Sequence, residues 1–236
     1  MTDTYPPGQA TLRVSLIAYT PEPERVVAAA ARLCCSPVGA TELLDGLTDD
    51  EVLRRLAHLA ESGHESPIEH ASFTFAVEGV SRALTHQLVR HRLASYSQQS
   101  QRYVREDSFD FVLPPSIAAR PETRELFLKT MAELREAYGR LAALVPREDA
   151  RYVLPNACET KIVLTMNARS LKNFFELRCC TRAQWEIRAL AQAMLAEVRR
   201  VAPNLFHLAG PTCETRGYCR EGRMSCGRLA KANPEV

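Results

Sequence analysis

The sequence has few glycines, and none is spaced for binding phosphate through a backbone loop. Ten glycines occur in 236 residues, and no two of them form a GxG pair. The glycine-rich turns of dinucleotide-binding folds and of P-loop proteins are therefore both missing. If this protein binds phosphate groups, arginine side chains have to do so, because guanidinium groups form paired, charge-assisted hydrogen bonds with oxyanions.

Motifs for several other kinds of site are missing as well. No HExxH or CxxC spacing occurs, and no GxSxG elbow presents a serine nucleophile. The eight cysteines include the neighbours Cys34–Cys35 and Cys179–Cys180, which rarely bond to each other, so we expect a reducing compartment. No apolar run approaches the ~20 residues that span a bilayer, and the N-terminus lacks the apolar core of a signal peptide. We therefore expect a cytoplasmic protein without a membrane partner.

Acidic residues are missing between Glu78 and Glu106, although the net charge of the whole chain is only +2. Five arginines fall in this segment, namely Arg82, Arg90, Arg92, Arg102 and Arg105. Because like charges repel, the cluster requires an external anion or a distant carboxylate. An anion-binding site is favoured. One alternative is a single-stranded nucleic-acid-binding module that uses 82–105, with Tyr96 and Tyr103 stacking on bases. Another is a structural protein with buried arginine pairs at an oligomer interface.

Hydrophobic periodicity predicts a mixture of strands and long helices. Alternation indicates strands at 11–18, 71–77 and 160–166. Helical spacing and end signals indicate helices at 22–35, 48–63, 81–90, 121–145, 147–153, 169–179 and 182–201. Since no regular βαβ order is present, the predicted fold class is α+β and mostly helical. We expect one domain over 1–208 and a tail rich in Cys, Gly and Arg over 209–236.

Two predicted helices carry candidate ligand-binding side chains. Helical spacing places Gln87, Arg90 and His91 on one face, where they can reach the same ligand. Arg178 lies on the apolar stripe of a later helix, where an unpaired charge is costly. Its partner is therefore either a buried acid, such as Glu186, or a bound ligand.

Two clusters of potential metal ligands are better explained without a metal. In HESPIEH, residues 64–70, Pro67 breaks the helix that would align the His and Glu side chains, so capping, ion pairing or polar ligand contacts are favoured. In the tail, Cys213, Cys219 and Cys226 are spaced more widely than usual zinc ligands. A reduced tail that packs on the body of the protein, or on a neighbouring subunit, is favoured over a metal site.

Several of these segments together resemble one known family. Arg90-His91-Arg92, followed by seven residues and Ser100, is similar to the RHR-x7-S signature of flavin-dependent thymidylate synthases. The similar blocks that accompany it in consistent order are HESPIEH at 64–70, Gln87, ARYVLP at 150–155, NARSLKNFFELR at 167–178 and AQWEIR at 183–188. The resemblance covers most of residues 11–208.

The resemblance implies an enzyme that methylates dUMP to dTMP. It implies FAD as redox cofactor, methylenetetrahydrofolate as one-carbon donor and NADPH as reductant. It further implies a homotetramer with FAD at the subunit junctions, a central and largely antiparallel sheet, and neither a metal nor a nucleic-acid partner.

The resemblance also assigns expected contacts. The residues that match FAD contacts are Ser66, Arg90, His91, Arg92, Gln98, Asn167, Arg169 and Asn173. The residues that match dUMP contacts are Gln87, Leu88, Val89, Arg90, Gln98, Gln99, Ser100, Gln101, Arg102, Arg151 and Arg178. Arg178 matches the arginine that favours the ionised uracil N3, and a cation at that edge would lower the pKa of N3. Ser100 is expected to contact substrate and not to attack it, since no activating base is evident. Family members carry Glu or Gln at position 98, and the Gln found here keeps a hydrogen-bonding role without charge.

Overall fold

Four strands and ten α-helices follow one another irregularly in the computed structural model, which describes residues 8–229. The strands are β1 (Arg13–Tyr19), β2 (Ser72–Ser81), β3 (Ser95–Gln98) and β4 (Glu159–Asn167). The longer helices are α1 (Pro23–Leu33), α3 (Asp49–Ser62), α6 (Pro121–Ala142), α8 (Ala168–Arg178) and α9 (Trp185–Val201). The shorter helices are α2 (Ala40–Gly46), α4 (Arg82–Leu88), α5 (Pro115–Ala118), α7 (Arg147–Ala150) and α10 (Thr212–Thr215).

The strands form one antiparallel sheet in the order β1-β2-β4-β3. About half of the residues are helical, so the α+β prediction is confirmed. The alternation in β2 is the clearest sequence signal behind the sheet. Phe73, Phe75 and Val77 are buried, while the residues between them are only half-buried.

The chain divides into two compact units that interleave along the sequence. Unit 1 contains residues 8–13, Ala76–Arg90 and Tyr96–Val163. Unit 2 contains Val14–Phe75, His91–Ser95 and residues 164–229. Strands β2 and β4 therefore each contribute residues to both units. The predicted boundary between a domain over 1–208 and a tail over 209–236 stays a prediction, and part of that tail lies outside the described residues.

Each unit has its own core. In unit 1 the core cluster consists of Phe109, Phe111, Leu113, Met131 and Cys158. In unit 2 the apolar stripe of α8 packs into an aromatic group. The ring of Phe206 meets the ring of Phe73 at a centroid distance of 5.3 Å and that of Phe175 at 6.1 Å. These aromatic contacts fix α8 within unit 2.

Most element boundaries agree with the sequence predictions, but β2 extends to Ser81 instead of residue 77, and α4 ends at Leu88 instead of residue 90. Ser81 caps α4 as predicted, since its Oγ accepts a hydrogen bond from the backbone N–H of Leu84 at 3.0 Å. The helix ends at Leu88, and the backbone N–H of Arg90 already closes a tighter turn onto the carbonyl of Gln87. The prediction that Gln87, Arg90 and His91 share one helical face is therefore wrong, because two of them follow the helix.

The described residues, 8–229, include helices of up to 22 residues. None of them is both long and apolar enough to cross a bilayer.

Candidate functional site

The predicted site residues are divided between the two units. One boundary between the units falls inside the RHR motif, between Arg90 and His91. Unit 1 holds Gln87, Leu88, Val89, Arg90, Gln98, Gln99, Ser100, Gln101, Arg102 and Arg151. Unit 2 holds Ser66, His91, Arg92, Asn167, Arg169, Asn173 and Arg178.

In unit 2, Arg178 and His91 are brought together from positions 87 residues apart. The Nε–H of Arg178 donates a hydrogen bond of 2.9 Å to Nε2 of His91. The imidazole ring of His91 also meets Phe174 edge-on, with ring centroids 4.9 Å apart. His91 therefore orients the guanidinium of Arg178, which lies on the apolar face of α8. The sequence did not indicate His91 as the partner of Arg178.

Burial and the neighbouring charge keep His91 neutral. Desolvation first, and the positive charge of Arg178 second, lower the pKa of His91 to about 4. The geometry agrees, because Nε2 must carry a lone pair to accept the hydrogen bond from Arg178. The proton of the neutral ring therefore lies on Nδ1.

Arg169 is paired in a different way. Its guanidinium contacts the carboxylates of Glu65 at 3.2 Å and Glu69 at 2.5 Å. Both acids lie in the HESPIEH segment, so the ion pairing expected for that segment is present. The two acids offset the charge of Arg169, although sequence matching assigned this residue to a cofactor.

Asn167 has a structural role in addition to its predicted one. It is the N-cap of α8, and its side-chain oxygen accepts a hydrogen bond from the backbone N–H of Ser170 at 2.9 Å. Ser66, Arg92 and Asn173 are all exposed and present a hydroxyl, a guanidinium and an amide to solvent.

In unit 1, two predicted substrate arginines converge on one glutamate. Arg102 contacts the Glu148 carboxylate through Nη2 at 2.9 Å, and the Nε–H of Arg151 donates to the Glu148 carbonyl at 3.1 Å. A shallow surface cavity of about 260 Å³ lies here, lined by Arg102, Glu148, Tyr103, Pro146 and Arg147. Arg102 and Arg151 thus contact the same residue, Glu148, which the sequence did not indicate, and their role as dUMP contacts stays a prediction.

Gln98 and Gln101 point their amides into unit 1. The Nε2 group of Gln98 donates to the hydroxyls of Thr85 at 3.0 Å and Thr160 at 3.3 Å, and both threonines are buried. Nε2 of Gln101 donates to Sγ of Cys158 at 3.6 Å. These contacts hold both ends of the segment from Gln98 to Gln101. The side-chain oxygen of Gln98 remains able to accept a hydrogen bond.

The remaining predicted residues of unit 1 differ in exposure. The Leu88 side chain is fully buried, and its carbonyl accepts a hydrogen bond from the Tyr96 hydroxyl at 2.9 Å. Val89 and Arg90 are exposed, and Nη2 of Arg90 lies 3.3 Å from Nε2 of His86. The others are half-buried, namely Gln87, Gln99 and Ser100. Leu88 consequently supports this segment from the core and offers no side chain to a ligand.

Two of the five arginines in the acid-free segment pair with carboxylates that lie outside it. Arg102 pairs with Glu148, and Arg105 pairs with Asp107. For these two arginines the partner is a carboxylate, which is the alternative that the sequence left open beside an external anion. No sequence spacing relates Glu148 to Arg102, so the pairing could not be predicted.

In unit 1, burial and neighbouring acids raise the pKa values of Glu106 and Cys158. Desolvation first, then the charge of Glu159, raise the pKa of Glu106. Burial first, and then the charges of Glu106 and Glu159, raise the pKa of Cys158 to about 12. Cys158 is therefore a neutral hydrogen-bonding partner for Gln101 and not a nucleophile.

Sequence comparisons find close relatives over nearly the whole chain. The profile of the family described as thymidylate synthase complementing protein matches residues 15–204. A flavin-dependent thymidylate synthase of Clostridium tetani is 55% identical over 237 residues, which cover 93% of this chain and 95% of that protein. A protein of the same name from Geobacter sulfurreducens is 55% identical over 223 residues, covering 93% of this chain and 96% of that protein.

A solved structure has a similar fold. It is the crystal structure of a UMP/dUMP methylase, PolB, from Streptomyces cacaoi bound with 5-Br dUMP. The likeness has a TM-score of 0.75 with 24% sequence identity, and covers 86% of this chain and 97% of that chain. At this identity the likeness shows the fold.

Proposed function

Because the chain belongs to the flavin-dependent thymidylate synthase family, we propose that it forms dTMP by reductive methylation of dUMP. In this proposal FAD is the redox cofactor, methylenetetrahydrofolate donates the one-carbon unit and NADPH is the reductant. The active form is a homotetramer in the cytoplasm. The names of the relatives support the flavin and the product, and the motif resemblance supports the folate, the NADPH and the assembly.

The exposed donors fit an anionic dinucleotide such as FAD. Arg92, Asn173 and Ser66 offer cationic, amide and hydroxyl donors on the surface of unit 2. Donors of this kind suit a diphosphate in a chain without glycine-rich loops. The flavin, when bound, supplies electron-transfer chemistry that no amino-acid side chain provides.

The pairing of Arg178 with His91 is the observation that carries the proposal. His91 holds Nε of Arg178, so the guanidinium keeps four further N–H donors in a fixed orientation. A cation so placed would stabilise the uracil anion that forms on loss of the N3 proton, and so raise electron density at the ring carbon that is methylated. Because His91 is neutral, it orients Arg178 without reducing its charge.

Arg102 and Arg151 suit the phosphate of dUMP. Both face Glu148, and Arg102 is largely exposed. A phosphate monoester carries more negative charge than a carboxylate and can accept hydrogen bonds from both guanidinium groups. In this proposal the substrate phosphate takes over contacts that Glu148 makes in the structure.

The first experiment measures flavin binding and product formation in the purified protein. We expect absorbance bands of a flavin in the near-ultraviolet and blue, and dUMP-dependent NADPH oxidation with dTMP formed when methylenetetrahydrofolate is present. If added FAD does not bind and the protein instead binds single-stranded DNA with a steep salt dependence, the nucleic-acid alternative replaces this proposal.

A variant then tests the assignment of Arg178. Arg178→Ala should lower the rate of dTMP formation by about a hundredfold or more, since it removes a charge aimed at the reacting ring. FAD affinity should change by no more than about threefold, within 1 kcal/mol. Arg124→Ala, at an exposed position on α6, is the matched control and should change neither quantity. Equal losses of activity and bound flavin would make Arg178 a structural residue.

A further inference from the structure

Two buried threonines from neighbouring elements of unit 1 hold the side chain of Gln98 in β3. Thr85 lies on α4 and Thr160 lies on β4, and both side chains are buried. The Nε2 atom of Gln98 is 3.0 Å from the hydroxyl oxygen of Thr85 and 3.3 Å from that of Thr160. Neither threonine is among the residues that the family resemblance assigns to a ligand.

The Thr85 hydroxyl has only one proton, and a backbone carbonyl accepts it. Oγ1 of Thr85 donates a hydrogen bond of 3.0 Å to the carbonyl oxygen of Arg82, one turn earlier on α4. A carbonyl oxygen has no proton to give, so the direction of this bond is fixed. The Thr85 oxygen can then only accept from Gln98. The amide atom that faces Thr85 is therefore the nitrogen, and the orientation of the Gln98 amide follows from the hydrogen bonds around it.

Both side-chain amide protons of Gln98 are used in this arrangement. An amide nitrogen carries two protons, and here one is donated to Thr85 and the other to Thr160. Within residues 8–229 no hydrogen bond reaches the side-chain oxygen of Gln98, and this oxygen is not one of their fully buried side-chain atoms. Gln98 therefore offers a ligand an acceptor and no donor.

We propose that Thr85 and Thr160 are positioning residues, which hold the Gln98 amide so that its oxygen accepts a hydrogen bond from an O–H or N–H group of the bound ligand. The ligand contact rests on the proposed function, in which Gln98 contacts dUMP or FAD. Both molecules carry O–H and N–H groups as well as phosphate. The oxygen of Gln98 suits the O–H and N–H groups and not the phosphate oxygens, because phosphate oxygens are acceptors themselves.

The same arrangement favours an amide over a carboxylate at position 98. Glutamate has nearly the same shape as glutamine, but at pH 7 both of its side-chain oxygens are acceptors. One of them would face the oxygen of Thr85, whose proton is already donated to Arg82. Gln98→Glu should therefore lower the thermal unfolding midpoint, by about 2 °C or more. An unchanged midpoint would contradict the direction assigned to the Thr85 hydrogen bond.

NMR of the side-chain amides tests the positioning without any ligand. In protein with isotope-labelled glutamine, the NH₂ signal that disappears in Gln98→Glu belongs to Gln98. Both of its protons should exchange with water at least about tenfold more slowly than those of Gln192, which is exposed on α9. In Thr85→Val the exchange at Gln98 should become faster. If Gln98 in the parent protein exchanges as fast as Gln192, the two threonines do not hold the amide and the proposal is overturned.

Ligand affinity then tests whether Thr85 acts through Gln98. The dissociation constants of dUMP and of FAD are measured separately, so the constant that changes identifies the ligand that Gln98 contacts. For that ligand Thr85→Val should weaken binding about fivefold, as expected for the loss of one hydrogen bond, whereas Thr85→Ser keeps the hydroxyl and should stay within about twofold of the parent protein. In a Gln98→Ala background Thr85→Val should weaken binding no further, because the side chain that it positions is gone.

Thr130→Val is the matched control. Thr130 on α6 also donates its hydroxyl proton to a carbonyl of its own helix, that of Leu126 at 2.9 Å, and its substitution should change neither dissociation constant. Equal weakening by Thr85→Val with and without Gln98 would make Thr85 a structural residue and overturn the proposal. A parent protein that binds neither dUMP nor FAD would instead refute the proposed function and the ligand contact, while the NMR exchange rates still decide whether the threonines hold the amide.

Discussion

At the scale of single residues, a carboxylate offsets the charge of a neighbouring arginine, whereas a neutral histidine leaves that charge unchanged. Glu65 and Glu69 offset the charge of Arg169, whereas the neutral His91 orients Arg178 and contributes no negative charge. Of these two arginines on α8, Arg178 is therefore better suited to attract a developing anion. Sequence matching assigned both to ligands and could not show this difference, because it depends on neighbours from distant segments.

The lowered pKa of His91 predicts that the folded protein is less stable in acid. In the unfolded chain the imidazole takes up a proton near pH 6.5, but in the folded protein only near pH 4, so the unfolded state binds more protons between these values. Acidification through this window should therefore destabilise the fold, by about 1 kcal/mol at pH 5 after allowing for partial exposure. Urea unfolding at pH 7.5 and pH 5 measures this. His91→Gln keeps an acceptor but cannot titrate, so its pH dependence should be weaker, and identical pH dependence in both proteins would refute the assignment.

Glu106 should show the opposite pH dependence. Its pKa is raised, so the folded state holds this proton more tightly than the unfolded state, and the resulting stability is lost as pH rises through the raised pKa. Glu106→Gln should consequently be more stable than the parent protein at pH 8, by no more than about 1 kcal/mol for a half-buried group, and the difference should shrink at pH 4. Thermal unfolding at the two pH values checks this. Glu125→Gln, an exposed acid on α6, should show no comparable gain.

At the scale of elements, the helix ends that carry a capping signal are the ones that the sequence predicts best. The capping box formed by Thr48 and Glu51 sets the start of α3, and Gly63 ends that helix in the left-handed conformation. Strand β3 was not predicted, since its four residues SYSQ are all polar or half-exposed. Its place in the sheet depends on backbone pairing with β4, as in the hydrogen bond from Gln99 N–H to the Lys161 carbonyl nearby. Such pairing leaves no pattern in a single sequence.

The same limit applies to the candidate site. The acid-free segment and the apolar stripe of a predicted helix made Arg102 and Arg178 candidates without the structure, and the family resemblance added Arg151; all three stay predictions. Their neighbours Glu148 and His91 could not be predicted, since each pair joins different elements and no spacing rule connects them.

Substitutions of Asn167 test whether this residue contacts FAD itself or only caps α8. Asn167→Ala removes the N-cap of α8 and should lower the free energy of unfolding by about 1 kcal/mol, whereas Asn167→Ser retains a capping oxygen and should lose much less. Chemical denaturation measures the stability, and FAD titration measures binding. If the serine variant recovers stability but not FAD affinity, the amide itself contacts the cofactor, while joint recovery would make Asn167 a capping residue only. Asn173→Ala, at an exposed position on the same helix, is the control for stability.

At the scale of the whole molecule, the proposed assembly predicts a link between subunit association and cofactor. If FAD lies at subunit junctions, the protein should have the mass of four chains in light scattering and should release flavin as dilution separates the subunits. Added FAD should shift the equilibrium back towards the tetramer, since a ligand stabilises the state that binds it. Flavin fluorescence across a dilution series, compared with the measured mass, checks the expectation, and a monomer that retains FAD would contradict it.

The interleaving of the two units has a consequence for synthesis. Unit 2 begins at Val14 but requires residues beyond 163, and the whole of Tyr96–Val163 belongs to unit 1. At translation rates of about 5–20 residues per second, the first part of unit 2 waits roughly 5–20 s for its second part to leave the ribosome. During that interval Phe73 of β2 lacks the ring of Phe206 that packs against it. The nascent chain therefore cannot complete one unit before starting the other.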